Sequence, residues 1–124
     1  MTIFFVGIHN KPGLMPLCGS TKTGKIINKI VARMPKEAKC VRTNLFEGEF
    51  HPNNEEFDPM DWYDRYEVSE GDIVVLLGNW VHKNFRCQPE LNIIKTRHPA
   101  SFLGAKKQSE FILETSEKIL KLLP

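Results

Sequence analysis

Residues Thr2 to Ile8 form an unbroken β-branched and aromatic run, closed by His9-Asn10-Lys11-Pro12-Gly13. That is the pattern of a buried strand emptying into a loop. Helical spacing takes over from Gly24 to Met34, where Ile27, Ile30, Val31 and Met34 share a face until Pro35 stops the helix. Ala38 to Leu45 reads as a second strand, followed by a polar, proline-bearing loop. Asp58-Pro59 has the form of an N-cap with proline at the first helical position. It predicts a short helix through Trp62, Tyr63 and Tyr66, whose rings are expected in the core rather than as a base-stacking platform. Asp72 to Gly78 is a continuous aliphatic run, as expected when both faces of a parallel sheet are covered. Asn79 to Phe85 reads as a short helix and Leu91 to Thr96 as a fourth strand. Ala105 to Leu123 reads as a long amphipathic helix with Phe111, Ile112, Thr115, Ile119 and Leu122 facing inward.

Strand followed by helix, four times over, predicts an α/β protein: a three-layer α/β/α sandwich around a four-stranded parallel sheet, in a single domain over residues 1–124. In such sheets ligands bind outside the carboxyl ends of the strands. Each predicted strand ends in polar residues: His9-Asn10, Thr43-Asn44, Gly78-Asn79 and Arg97-His98-Pro99. The expectation is that one cleft collects them.

With 41% hydrophobic and 26% charged residues, the chain is neither a disordered tail nor a fibrous repeat. No apolar run reaches the roughly 18–20 residues that span a bilayer. The apolar start is short and lacks a basic region, so it reads as a strand rather than a signal peptide. A net charge of +2 means that any anion site must be local. Cys18, Cys40 and Cys87 cannot all pair within the chain and fit no metal-binding spacing, which points to a reducing, cytoplasmic setting with the three as buried small hydrophobes. Neither zinc nor an iron–sulfur cluster is expected, and His51 and His82 lack partners at metal-ligand spacing.

Gly19-Ser20-Thr21-Lys22-Thr23-Gly24-Lys25 nearly fits a phosphate-binding P-loop, but Ile26 stands where a Mg²⁺-ligating hydroxyl belongs. The loop is also separated from the first strand, and Asp72 begins its strand instead of ending it. What survives is a glycine-rich helix start, with Lys22 and Lys25 nearby, that either holds a phosphate or is simply solvated. His98 precedes Pro99, which stiffens the loop where the imidazole emerges. It can donate to charge developing on a leaving group, or cap loop carbonyls. The Asn44 amide suits the edge of a base, or its own backbone at a turn. His9 and Asn10 can orient a water. Phe102 and Leu103 either wedge into nucleic acid or pack on the final helix.

In order, these segments resemble the motifs of the uracil-DNA glycosylase superfamily. Gly7-Ile8-His9-Asn10 with Pro12-Gly13 resembles its first motif. Pro16-Leu17-Cys18-Gly19 with Gly24-Lys25-Ile26-Ile27 is similar to its Pro-Phe-x-Gly-x-x-Gly-x-Leu-Leu segment. Thr43-Asn44-Leu45 resembles the Thr-Asn-Val strand end, Pro52-Asn53-Asn54 the loop after it, and His98-Pro99-Ala100 with Leu103 the His-Pro-Ser/Ala motif. The resemblance implies hydrolysis of the N-glycosidic bond to uracil, or another deaminated base, flipped out of DNA during base excision repair. In it, His98 stabilises the departing base anion, His9 or Asn10 positions water, and Asn44, Leu17, Gly7 and Gly19 bind the base. Lys25, Ser101, Phe102 and Leu103 meet the DNA. No cofactor is implied, and the partner is DNA carrying a damaged base. Ile8 and His9 stand where members carry Glu or Asn, and Leu17 where they carry an aromatic. A relative that binds a nucleotide or nucleic acid at the same cleft without cutting it is therefore the alternative.

Overall fold

The computed structural model describes residues 1–9, 12–48, 51–52, 55, 57–99 and 104–124. Among them the chain alternates β1 (Thr2–Gly7), α1 (Lys22–Val31), β2 (Lys39–Asn44), α2 (Asp61–Arg65), β3 (Ile73–Leu77), α3 (Asn79–Asn84), β4 (Asn92–Thr96) and α4 (Ala105–Leu122). All strand pairings are parallel, in the order β2-β1-β3-β4. The chain leaves β1 for β2 on one side and then crosses to β3 on the other. That reversal opens a crevice at the carboxyl ends of β1 and β3.

Alternation along the strands divides the core. Ile3, Phe5, Ile73, Val75, Leu77 and Ile94 pack under Ile26, Ile27 and Ile30 of α1 and under Phe111, Ile112 and Ile119 of α4. Phe4, Val6, Val74 and Leu76 point to the opposite face, against Trp62 of α2 and Val81 of α3. With helices on both faces, β1 and β3 are buried on both sides, which is why their sequences are aliphatic throughout. Trp62 is fully buried and meets Phe4 edge-on at 5.4 Å. Its indole Nε1 donates to Thr43 Oγ1 at 2.9 Å, and that hydroxyl donates onward to the Phe5 carbonyl at 2.9 Å. The aromatic run at residues 62–66 is thus a core feature.

Several expectations are corrected. Asp58 does not cap α2: its Oδ1 accepts from the Met60 N–H at 2.9 Å, and residues 58–62 close as i to i+3 turns before the helix starts at Asp61. α1 begins two residues before Gly24, at Lys22, because the Thr21 hydroxyl accepts from the Gly24 N–H at 2.9 Å. Leu122 is 38% exposed. Ile119 and Leu123 pack on the core to either side of it, so Leu122 lies at the edge of the buried face of α4. Cys87 is exposed in the segment before β4 and Cys18 is partly buried in the loop before α1, so neither is a core hydrophobe, whereas Cys40 on β2 is partly buried and packs against the core. Asp72 sits at the amino end of β3, where its carboxylate accepts from the Thr2 and Ser69 N–H groups at 3.0 and 2.8 Å. No helix among the described residues is long and apolar enough to cross a membrane.

Candidate functional site

A cleft of about 300 Å³ lies at the carboxyl ends of the strands, over the β1–β3 crevice. Gly7 and His9 reach it from the end of β1, Leu17 and Cys18 from the loop before α1, Asn44 from the end of β2, and His98 from the segment after β4. Leu14, Met15, Leu17 and Leu77 supply apolar wall. Its volume lies at the lower end of the ~300–1,000 Å³ range of small-molecule sites, enough for a single ring system.

Parallel register puts Gly7 beside Asn44. A Cβ at Gly7 would lie 2.7 Å from Asn44 Oδ1 and 2.9 Å from Leu17 Cδ2. The missing side chain is therefore what leaves room for the carboxamide, and Asn44, only 3% exposed, presents its amide at the cleft floor. Arg65 Nη2 donates to the Asn44 and Leu45 carbonyls at 2.8 and 3.1 Å, fixing the backbone at this strand end.

Leu17 has a left-handed backbone, φ 50°, which a side chain adopts at a cost of about 1–2 kcal/mol. Arg42 holds it there. One guanidinium nitrogen donates to the Leu17 carbonyl at 3.0 Å and another to Asn28 Oδ1 on α1. Gly19 belongs to this scaffold and does not line the cleft, since a Cβ there would lie 2.8 Å from Asn28 Nδ2. Gly24 is similarly constrained: a Cβ would come within 1.7 Å of the Cys18 carbonyl, so the first turn of α1 sits directly on the loop.

His98 is half-buried, and desolvation holds its imidazole below the ordinary value, favouring the neutral ring. It lies over Gly78, whose φ of +94° turns the chain sharply from β3 into α3, and a Cβ there would be 3.1 Å from the His98 Cβ. His9 packs edge-on against His51 at 5.8 Å. Cys18 accepts or donates a 3.2 Å hydrogen bond with Ser20, and that contact pulls its thiol below the usual range, helped by Arg42.

Of the residues singled out in the sequence, Gly7, His9, Leu17, Asn44 and His98 thus share one cleft, while Gly19 supports it from behind. Lys25 lies in a neighbouring groove. Asn10, Ser101, Phe102 and Leu103 lie outside the described residues. Arg42 and Cys18 had not stood out as site residues. Arg42 reads as an ordinary alternating strand residue, and only the close approach of the loop to β2 reveals its task. Among the described residues no cluster of His, Cys, Asp or Glu could hold a metal ion. Compared with known proteins, the chain matches no family model, no curated protein and no solved structure.

Proposed function

We propose that the chain is a uracil-DNA-glycosylase-like hydrolase that removes uracil or a related deaminated base from DNA. One observation carries this reading: an amide at the end of β2 and an imidazole after β4 meet in an apolar-walled cleft sized for one base. Chemistry on a base requires the nucleotide to leave the stack and enter such a pocket. The Asn44 carboxamide, which donates and accepts through one group, pairs with the donor–acceptor edge of uracil. As the glycosidic C–N bond breaks, its electron pair stays on the base. His98, neutral and partly desolvated, donates a hydrogen bond to the oxygen that gains the charge. Water adds to the sugar carbon and its released proton neutralises the base anion, with His9, a polar side chain of the cleft wall, to orient it. Arg42 and Gly7 act through position, one holding the Leu17 wall and the other clearing the floor.

A second reading has its own observation. The described lining of the cleft contains no carboxylate, so a strong base for activating water is not among those residues. A module that binds the base without cutting it fits that lining. Incubation with single- and double-stranded oligonucleotides containing one uracil, followed by alkaline cleavage at abasic sites, separates the two. Strand breaks from the wild type, reduced by about 10²–10³ in His98→Ala, are expected for the hydrolase. Binding of the oligonucleotide without breaks, for uracil, hypoxanthine and xanthine alike, gives the binding module.

A further inference from the structure

The sequence distributes its charge unevenly. Ten of its 15 carboxylates, but only Arg65 of its 17 lysines and arginines, fall between Glu47 and Asp72. The core assigns residues 57–68 of that segment to one face of the sheet, because Phe57, Trp62, Tyr63, Tyr66 and Val68 pack there. The opposite layer, α1 and α4, carries lysines. On α1, Lys22, Lys25 and Lys29 recur at i, i+3 and i+7, which sets them along one side of the helix, and all three are exposed. They line a groove of about 490 Å³ facing Gln108 of α4. Lys22 lines both this groove and the cleft, so the two adjoin. Among the described residues no carboxylate pairs with Lys25 or Lys29.

We infer that the groove between α1 and α4 is a phosphate track for a single-stranded nucleic acid whose base occupies the cleft, an inference that rests on the reading of the cleft as a base pocket. From Lys22 to Lys29 the track extends about 10 Å, matching about three phosphates at the spacing of a stacked strand. Polarity decides between one strand and two. A duplex carries two backbones, and one that continued past the cleft toward the α2 side would meet Glu47, Glu55, Asp58 and Asp61, which are exposed. A single strand can leave the cleft on the basic side alone. A second hollow of about 460 Å³ beside the edge strand β4 is the competing route, but it sets Glu110 and Glu114 among Lys95, Arg97, Lys107 and Lys118. A polyanion meets repulsion there that the α1–α4 groove lacks.

The test is fluorescence anisotropy of a labelled oligothymidylate of about 12 nucleotides, a length within the site sizes of single-strand binders. It contains no uracil and is titrated with the full chain at salt concentrations from about 50 to 200 mM. Each phosphate neutralised on a single strand contributes about 0.7 to the slope of log affinity against log salt. Lys25→Ala with Lys29→Ala should flatten the slope by about 1.4, while Lys95→Ala with Lys118→Ala should leave it unchanged. Equal flattening by both pairs, flattening by the second pair alone, or tighter binding to a duplex of the same length overturns the track. The abasic-site assay on the same proteins keeps the two ideas apart. Product formed with an unaltered slope in the first pair sinks the track and leaves the cleft reading. Selective flattening without product keeps the track and removes the hydrolase.

Discussion

Gly7→Ala adds one methyl group at the point where β1 and β2 deliver the cleft floor. Gly7 has no positive φ, so alanine meets no backbone strain and the effect is one of packing. The new Cβ would lie 2.7 Å from Asn44 Oδ1 and 2.9 Å from Leu17 Cδ2, both too close. Leu17 is anchored by the Arg42 bond to its carbonyl, and Asn44 is buried, so neither yields freely. Overpacking of this kind costs about 1–3 kcal/mol, offset by about 0.4–1 kcal/mol from the stiffer unfolded chain. At about 2.1 cal/mol/K per residue, 124 residues give an unfolding entropy near 0.26 kcal/mol/K, or about 4 °C of Tm per kcal/mol. The net cost of about 0–2.6 kcal/mol corresponds to a fall in Tm of up to about 10 °C. The carboxamide must shift to relieve the contact, and a displacement of about 1 Å can cost 10²-fold in rate. Uracil release and Tm are measured together, beside Gly71→Ala as a stability control. Gly71, unlike Gly7, carries a positive φ, +87°, and lies at the amino end of β3, so its replacement should lower Tm without touching turnover. Wild-type turnover in Gly7→Ala despite a lowered Tm would refute the role of the Asn44 amide, and a raised Tm would refute the packing itself.

Gly78→Ala combines a left-handed φ with a 3.1 Å contact to His98, so a loss of about 1–3 kcal/mol in urea unfolding is expected, together with weakened ligand binding. Because burial depresses the His98 pKa, the unfolded chain takes up a proton below about pH 6.5 that the folded chain resists; this contribution to stability falls as pH drops from there to the folded pKa, and His98→Gln should remove it from the pH-dependence of the unfolding midpoint. Arg42→Lys retains charge but cannot fork to two acceptors, so it should weaken ligand binding at the cleft about tenfold by freeing the Leu17 loop, read by titration with a uracil-containing trinucleotide. Iodoacetamide should alkylate Cys18 faster than Cys40, whose thiol burial pushes up, and Ser20→Ala should narrow the gap, as followed by peptide mass analysis.

The strands were legible because their buried faces force aliphatic residues, and their polar ends stood out against that background. Asn44 and His98 could be singled out for this reason alone. Errors fell where no hydrophobic period constrains the chain: at the turns of residues 58–60 before α2, at the last turn of α4, and at Cys18 and Cys87 in their loops. Gly19 was legible as a special position but not as a prop for Asn28, since a missing Cβ says that something comes close without saying what.

By itself the amino-acid sequence determined the alternation of strand and helix, the parallel sheet and the polar strand ends, because periodicity and burial are local constraints written residue by residue. Tertiary structure alone decided that β2 lies beside β1 while β3 takes its other side, that Gly7 therefore faces Asn44, and that Arg42 locks Leu17 from a neighbouring element. It also set three lysines of α1 along one groove, on the sheet face opposite α2. Those features depend on which residues far apart in sequence come within a few ångströms, and only closure of the sheet under its two helix layers fixes that.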